Sequence, residues 1–144
     1  MVYHPSNSEE QQIAGQELIN ALSLELGIKL KSHNILLGPC SVQIDGYSEN
    51  PAVLCEAWAH IGKPRGSQPD KFMADVIKML FCEKYLGRKF RKILLFSNEE
   101  AKRHFESNNW HSSCLQDFKI ELKSISLNEE ISKRVSQAQK RQYR

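Results

Sequence analysis

Between Lys29 and His60 the chain turns twice within very short spans. Gly38-Pro39 and Gly46-Tyr47-Ser48-Glu49-Asn50-Pro51 separate three extended-type segments, Lys29–Leu37, Ser41–Gly46 and Ala52–His60. Glycine, proline and asparagine favour such turns because they tolerate or preset the backbone angles required. A parallel connection needs a crossover of about a dozen residues or more, so gaps this short join antiparallel neighbours. Residues 29–60 are therefore predicted to form a three-stranded antiparallel meander.

The flanking segments extend this to a fold class. Upstream, Ile13, Leu18, Ile19, Leu22 and Leu26 recur at helical spacing and Gly27 ends the run, which predicts a helix over 9–26 with Ser8 as its N-cap. Downstream, the polar, basic loop Gly62–Pro69 leads into a helix over 68–86. That helix carries Phe72, Val76, Met79 and Leu80, has Ser67 as a possible N-cap, and is closed by Gly87. Phe90–Ser97 follows as a strand apolar enough to be central in a sheet. Asn98 is placed to cap a third helix over 99–107, which Asn108-Asn109-Trp110 breaks. Phe118, Ile120 and Leu122 then alternate with charged residues as in a half-buried strand, and a polar, basic, helix-compatible tail runs from Asn128. The order is αβββαβ, then helix, strand and tail helix. It is the order of an α/β protein with a mixed central sheet flanked by helices.

At 144 residues the chain is expected to be a single domain, with a core over about 9–127 and a basic C-terminal segment. Net charge is +3, which permits a nucleic-acid partner without requiring one. Cys40, Cys55, Cys82 and Cys114 show no metal-type spacing and are expected to be reduced thiols. Met1–Pro5 carries no apolar signal-peptide run, and no stretch approaches the roughly 18 apolar residues of a membrane span, so a cytoplasmic protein is the expectation.

Asp45 and Glu56 stand in consecutive strands of the meander. An acid in a strand flanked by apolar residues costs free energy unless its charge is compensated. Strand side chains alternate, so Leu54, Glu56, Trp58 and His60 share one face, and Gln43 and Asp45 share a face opposite Val42 and Ile44. If the meander aligns the two acids, their oxygens can ligate Mg²⁺, with Mn²⁺ as a substitute. Such an ion polarises phosphate oxygens and lowers the pKa of water. The plainer readings are that Asp45-Gly46 is only a turn and that Glu56 sits on an edge strand.

With these acids in this order, the chain resembles the PD-(D/E)XK nuclease superfamily, the restriction-endonuclease-like fold. The resemblance covers about residues 9–97. Gln43-Ile44-Asp45-Gly46 matches the acid ending the second core strand, and Glu56-Ala57-Trp58 matches the acid-x-Lys of the third except at its last position. Ala14-Gly15-Gln16-Glu17 resembles the first-helix element, which makes Glu17 a third candidate metal ligand. The resemblance implies a Mg²⁺-dependent nuclease acting on phosphodiester bonds, with DNA as substrate. It also implies that a lysine orients the attacking water.

Trp58 occupies that lysine's position. Some members of the superfamily draw the lysine from the following helix, where Lys63, Lys71 and Lys78 are the candidates here. Gln68, Lys71, Asp75 and Lys78 form one polar stripe on that helix. Lys71 is preferred because it stands in the first turns of that helix, nearest the end of the third strand, with Lys63 in the preceding loop second. Gln68, Arg65 and Lys78 are the expected substrate contacts. The stripe is equally readable as a solvated face. Asp117-Phe118-Lys119 and Glu121-Leu122-Lys123 also fit acid-x-Lys but are read as cross-strand charge pairs. Basic residues at Lys63, Arg65, Arg88, Lys89, Arg91, Lys92, Lys102 and Arg103, and again at Lys133, Arg134, Lys140, Arg141 and Arg144, fit phosphate contacts or simple solubility. Two functions result: a nuclease, or a non-catalytic nucleic-acid-binding or protein-interaction domain on the same fold. A homodimer would give a duplex two sites, and a partner protein is an alternative source of targeting.

Overall fold

The computed structural model describes residues 5–60, 64, 66–129, 133 and 137. The elements run α1 (Pro5–Leu26), β1 (Lys31–Leu37), β2 (Cys40–Ser48), β3 (Val53–Trp58), α2 (Gln68–Leu86), β4 (Arg91–Phe96), α3 (Glu99–His104), α4 (Trp110–Asp117) and β5 (Glu121–Ser124). The sheet order is β1-β2-β3-β4-β5. The first three strands pair antiparallel, and β4 and β5 join parallel to β3 through helical crossovers. The protein is thus α/β, with a five-stranded mixed sheet between helices.

Strand alternation divides the core into two layers. Val53 and Cys55 of β3 and Ile93 and Leu95 of β4 pack against Ala14, Leu18, Ile19 and Leu22 of α1. The intervening Leu54, Leu94 and Phe96 pack against Phe72, Val76 and Met79 of α2, with Phe105 and Leu115 closing that layer. β3 and β4 are apolar in succession because both faces are covered. Among the described residues, no helix is long and apolar enough to cross a membrane.

Several local expectations change. α1 begins at Pro5, so Ser8 lies within the helix instead of capping it. Ser67 precedes α2 but makes no side-chain cap hydrogen bond, and its φ of −83° and ψ of 0° are not the extended angles of a capping residue. The third helix stops at His104, and a helix that the sequence pattern did not reveal, α4, follows it. Its N-cap is Asn109, whose side chain accepts from the Ser112 amide. The residue read as a breaker is therefore a start signal. β5 is shorter than the alternation implied, because Lys119 adopts a left-handed φ of 56° and ends the turn after α4. Arg91 Nε donates to both carboxylate oxygens of Glu121, and Lys123 pairs with Glu25, so Glu121 and Lys123 are engaged in surface pairing. The expected tail helix from Asn128 lies largely outside the described residues.

One irregularity positions the acids. Between Lys31 and His33, β1 advances two residues while β2 advances three, from Tyr47 to Ile44. The extra residue makes a β-bulge at Asp45-Gly46, which changes the phase of the strand at that point. Gly46 is buried, and a Cβ there would lie 2.9 Å from Ile19 Cδ1 and 3.3 Å from Cys55 Cβ. Only a glycine lets α1 approach β2 this closely.

Candidate active site

The antiparallel pairing of β2 with β3 runs Ser48–Val53, Tyr47–Leu54 and Gly46–Cys55. One step further, Asp45 stands opposite Glu56, and there the ladder stops. The strands fork, and the carboxylates replace the missing backbone bonds. Asp45 Oδ2 accepts from the Ala57 amide at 2.9 Å, and Glu56 Oε1 lies 3.4 Å from the Asp45 amide nitrogen. The bulge is what brings them together. Ile44 and Tyr47 both pack into the α2-side layer although they are three residues apart. Simple alternation, with Asp45 set opposite Ile44, does not describe the strand beyond this point.

Glu56 is only 5% exposed, on the sheet face that α2 covers. Lys78 of α2 places its Nζ 3.2 Å from Glu56 Oε1 and 3.7 Å from Asp75 Oδ1. Burial, reinforced by the Asp45 charge, pushes the Glu56 carboxyl up to about 9 despite the Lys78 ammonium, and the two acids share a side-chain hydrogen bond. Burial also raises Asp75 to about 6, with Lys78 opposing and Asp45 adding to the shift. Beneath the pair, burial raises the Cys55 thiol, as do the charges of Glu56 and Asp45. Such shifts in a cleft mark functional candidates, because a group held away from its preferred charge state is poised to exchange a proton or bind a compensating ion.

Asp45 and Lys78 line a cleft of 580 Å³ together with Ala57, Gln43, Gln12 and Gln16, and the buried Glu56 lies behind them. The α1 wall therefore presents glutamines, with no acid among them. Glu17 is exposed and points away from this wall, because one helical residue turns the side chain about 100° from Gln16. The structure does not bring Glu17 to the pair.

The first turns of α2 sit elsewhere. Gln68 Nε2 is 3.4 Å from His60 Nδ1, and Gln11 Nε2 is 3.5 Å from His60 Nε2. His60 is driven down to about 4, first by burial and then by the charge of Lys71. Gln68 thus meets His60 and the Lys71 charge acts on that same ring, while the carboxylates are met by the Ala57 amide and Lys78. Lysine at the acid pair comes instead from Lys78, two helical turns on, the last of the three candidate lysines and also an expected substrate contact. Lys63 and Arg65 lie outside the described residues. Trp58 is half-buried and packs its ring 4.1 Å from Phe72 and 4.1 Å from His60, so it serves the aromatic layer on the α2 side of the sheet. Asp75 belongs to the polar stripe of α2 but had no expected role, and the Gln12/Gln16 wall is new. Their signal in the sequence was i, i+4 spacing on helices flanking the acids.

Among the described residues, no group of three or more histidine, cysteine, aspartate or glutamate side chains is arranged to hold a metal. The pair itself suits Mg²⁺ by its chemistry. Its donors are hard carboxylate oxygens, and Mg²⁺ needs only one or two of these because it keeps several waters. No family model matches the chain, and no curated protein or solved structure matches it.

Proposed function

We propose that this chain is a metal-dependent nuclease on a restriction-endonuclease-like fold. It hydrolyses phosphodiester bonds of nucleic acid, with DNA as the substrate class that the resemblance implies. The observation that carries the proposal is the cluster of Asp45, Glu56 and Lys78 at the strand fork beneath an open cleft. Two acids and a lysine are the side chains the resemblance requires, and the lysine arrives from α2 while Trp58 keeps its core position.

Asp45 and Glu56 would hold Mg²⁺ or Mn²⁺, which when bound supplies Lewis acidity toward a phosphate oxygen. The Ala57 amide fixes Asp45 Oδ2, so this carboxylate is already oriented before a ligand arrives. Lys78 Nζ holds Glu56 Oε1 at 3.2 Å, and its cation would stabilise negative charge gathering on a phosphate in the cleft. Asp75 limits where the Lys78 ammonium can swing.

The test is cleavage of supercoiled plasmid and single-stranded DNA with Mg²⁺ or Mn²⁺. Asp45→Asn, Glu56→Gln and Lys78→Gln should each lower the rate by about 10²–10⁴-fold. Wild-type rates in Asp45→Asn and Glu56→Gln would remove the assigned site. A second reading is a nucleic-acid-binding domain that does not cut, favoured by the lack of a third acidic ligand among the described residues. Salt-sensitive binding without cleavage in either metal would select it.

A further inference from the structure

The cleft over the acids does not end at Gln16 and Ser32. These two residues also line a second cleft of 540 Å³, which continues between α1 and the start of β1 and includes Asn20, Leu24, Lys29 and Lys31. Together the two make one trough, with a dividing ridge that both halves share. Its α1 wall is the stripe Gln12, Gln16, Asn20 and Leu24, each four residues from the last and so on one helix face.

The charges along this trough are sorted. The described part of α1 carries Glu9, Glu10, Glu17 and Glu25, and none of the four lines either cleft. Among the described residues the only acid in the combined lining is Asp45, at the reacting end, whereas the far end holds Lys29 and Lys31. Between them the walls offer neutral donors and acceptors. Gln16 Nε2 donates to Asn20 Oδ1 at 2.9 Å, and Gln43 Nε2 donates to Ser32 Oγ at 2.9 Å. Leu24, Leu30 and the lysine stems make the far end largely apolar, which suits the sugar and base faces of a nucleotide.

We infer that this trough is the track of the substrate strand: a single polynucleotide strand runs from the acid pair along α1, and Lys29 and Lys31 bind its phosphates on one side of the scissile bond. The inference rests on the nuclease reading and adds to it the extended strand that the site engages. An anion at the far end meets two cations and no fixed negative charge. A strand laid the length of the trough reaches Asp45 only at the phosphate to be cut.

The experiment measures binding of fluorescein-labelled 12-mers of deoxythymidine and of uridine by anisotropy, in EDTA, across a salt series. Lys29→Gln/Lys31→Gln is compared with a control that removes two exposed charges elsewhere, Lys84→Gln/Lys119→Gln. Each lost phosphate contact lowers the salt slope by about 0.7 for a single strand, so the trough variant should lose about 1.4 in slope and the control none. Loss with both oligomers marks a phosphate track common to DNA and RNA, and loss with one alone marks a track selective for that sugar. Equal slopes in the two double variants would overturn the track and leave the nuclease reading standing if wild type still cuts. A slope loss in a protein that never cuts would keep the track and retire the nuclease. Binding of a polyglutamate peptide through Lys29 and Lys31 without oligonucleotide binding would overturn the inference.

Discussion

The Lys78 ammonium stands 3.2 Å from a Glu56 carboxyl that is buried beneath it and held near pKa 9. A lysine beside an acid usually signals a settled ion pair. Here burial and the Asp45 charge outweigh the lysine, so the acid remains protonated at neutral pH until a further cation arrives. Four predictions rest on this arrangement and the packing around it.

In the metal-free protein, Glu56 should make stability fall as pH rises. Its carboxyl binds a proton up to about 9 in the fold but only to about 4.5 when unfolded. Between those values the native state holds more protons than the unfolded state, so its contribution is fully present below 4.5 and is lost toward 9, by at most about 1.4 kcal/mol per pH unit. Glu56→Gln should flatten this slope. Urea unfolding in EDTA should show the variant near wild type at pH 4.5 and more stable than wild type at pH 8.

Metal binding should release a proton. At pH 7 the Glu56 proton must leave for its oxygen to ligate, so calorimetry in buffers of different ionisation enthalpy should report about one proton released per Mg²⁺. Asp45→Asn should abolish the binding heat. Titration with no buffer dependence would mean that the ion binds elsewhere.

Restoring the motif lysine in place should fail. Trp58→Lys inserts an ammonium between Phe72 and His60, where the indole now packs. The loss should be about 3–5 kcal/mol by urea denaturation. In a Lys78→Gln background, Trp58→Lys should restore no cleavage.

Gly46→Ala should force the Ile19 side chain to shift. The new methyl group would meet Ile19 Cδ1 at 2.9 Å, and overpacking of this kind costs about 1–3 kcal/mol. Ile19→Val removes the clashing atom, so the double variant should regain part of the loss. A non-additive double-mutant cycle in urea is the expected reading.

Much of this was legible in the chain. Short turns around Gly38-Pro39 and Asn50-Pro51 dictated the meander, and the all-apolar run Ile93–Phe96 dictated a strand covered on both faces. Asp45 and Glu56 were found as acids in strands, but the bulge that sets them opposite each other leaves no signature beyond a glycine already explained as a turn. The lysine was misplaced for a geometric reason. β3 and β4 are parallel, so α2 runs back along β3 from its far end. From His60 to Glu56 the strand covers about 13 Å at about 3.3 Å per residue, and from Lys71 to Lys78 the helix covers about 10 Å at about 1.5 Å per residue. Closeness along the chain therefore pointed to the residue beside His60, while the return path carried Lys78 back to the acid. α4 was missed because Asn109 ends one helix in sequence and begins another in space.

The bulge at Asp45-Gly46 also has an evolutionary consequence. β2 meets β1 in one phase and β3 in another, and the change falls at the acid itself. The outer hairpin, from Lys31 to Ile44, is thereby insulated from the fork. A change in the length of that hairpin need not transmit a frame shift to Asp45, whereas a single-residue insertion within the paired stretch Val53–Cys55 would turn Glu56 to the opposite face, out of reach of Asp45.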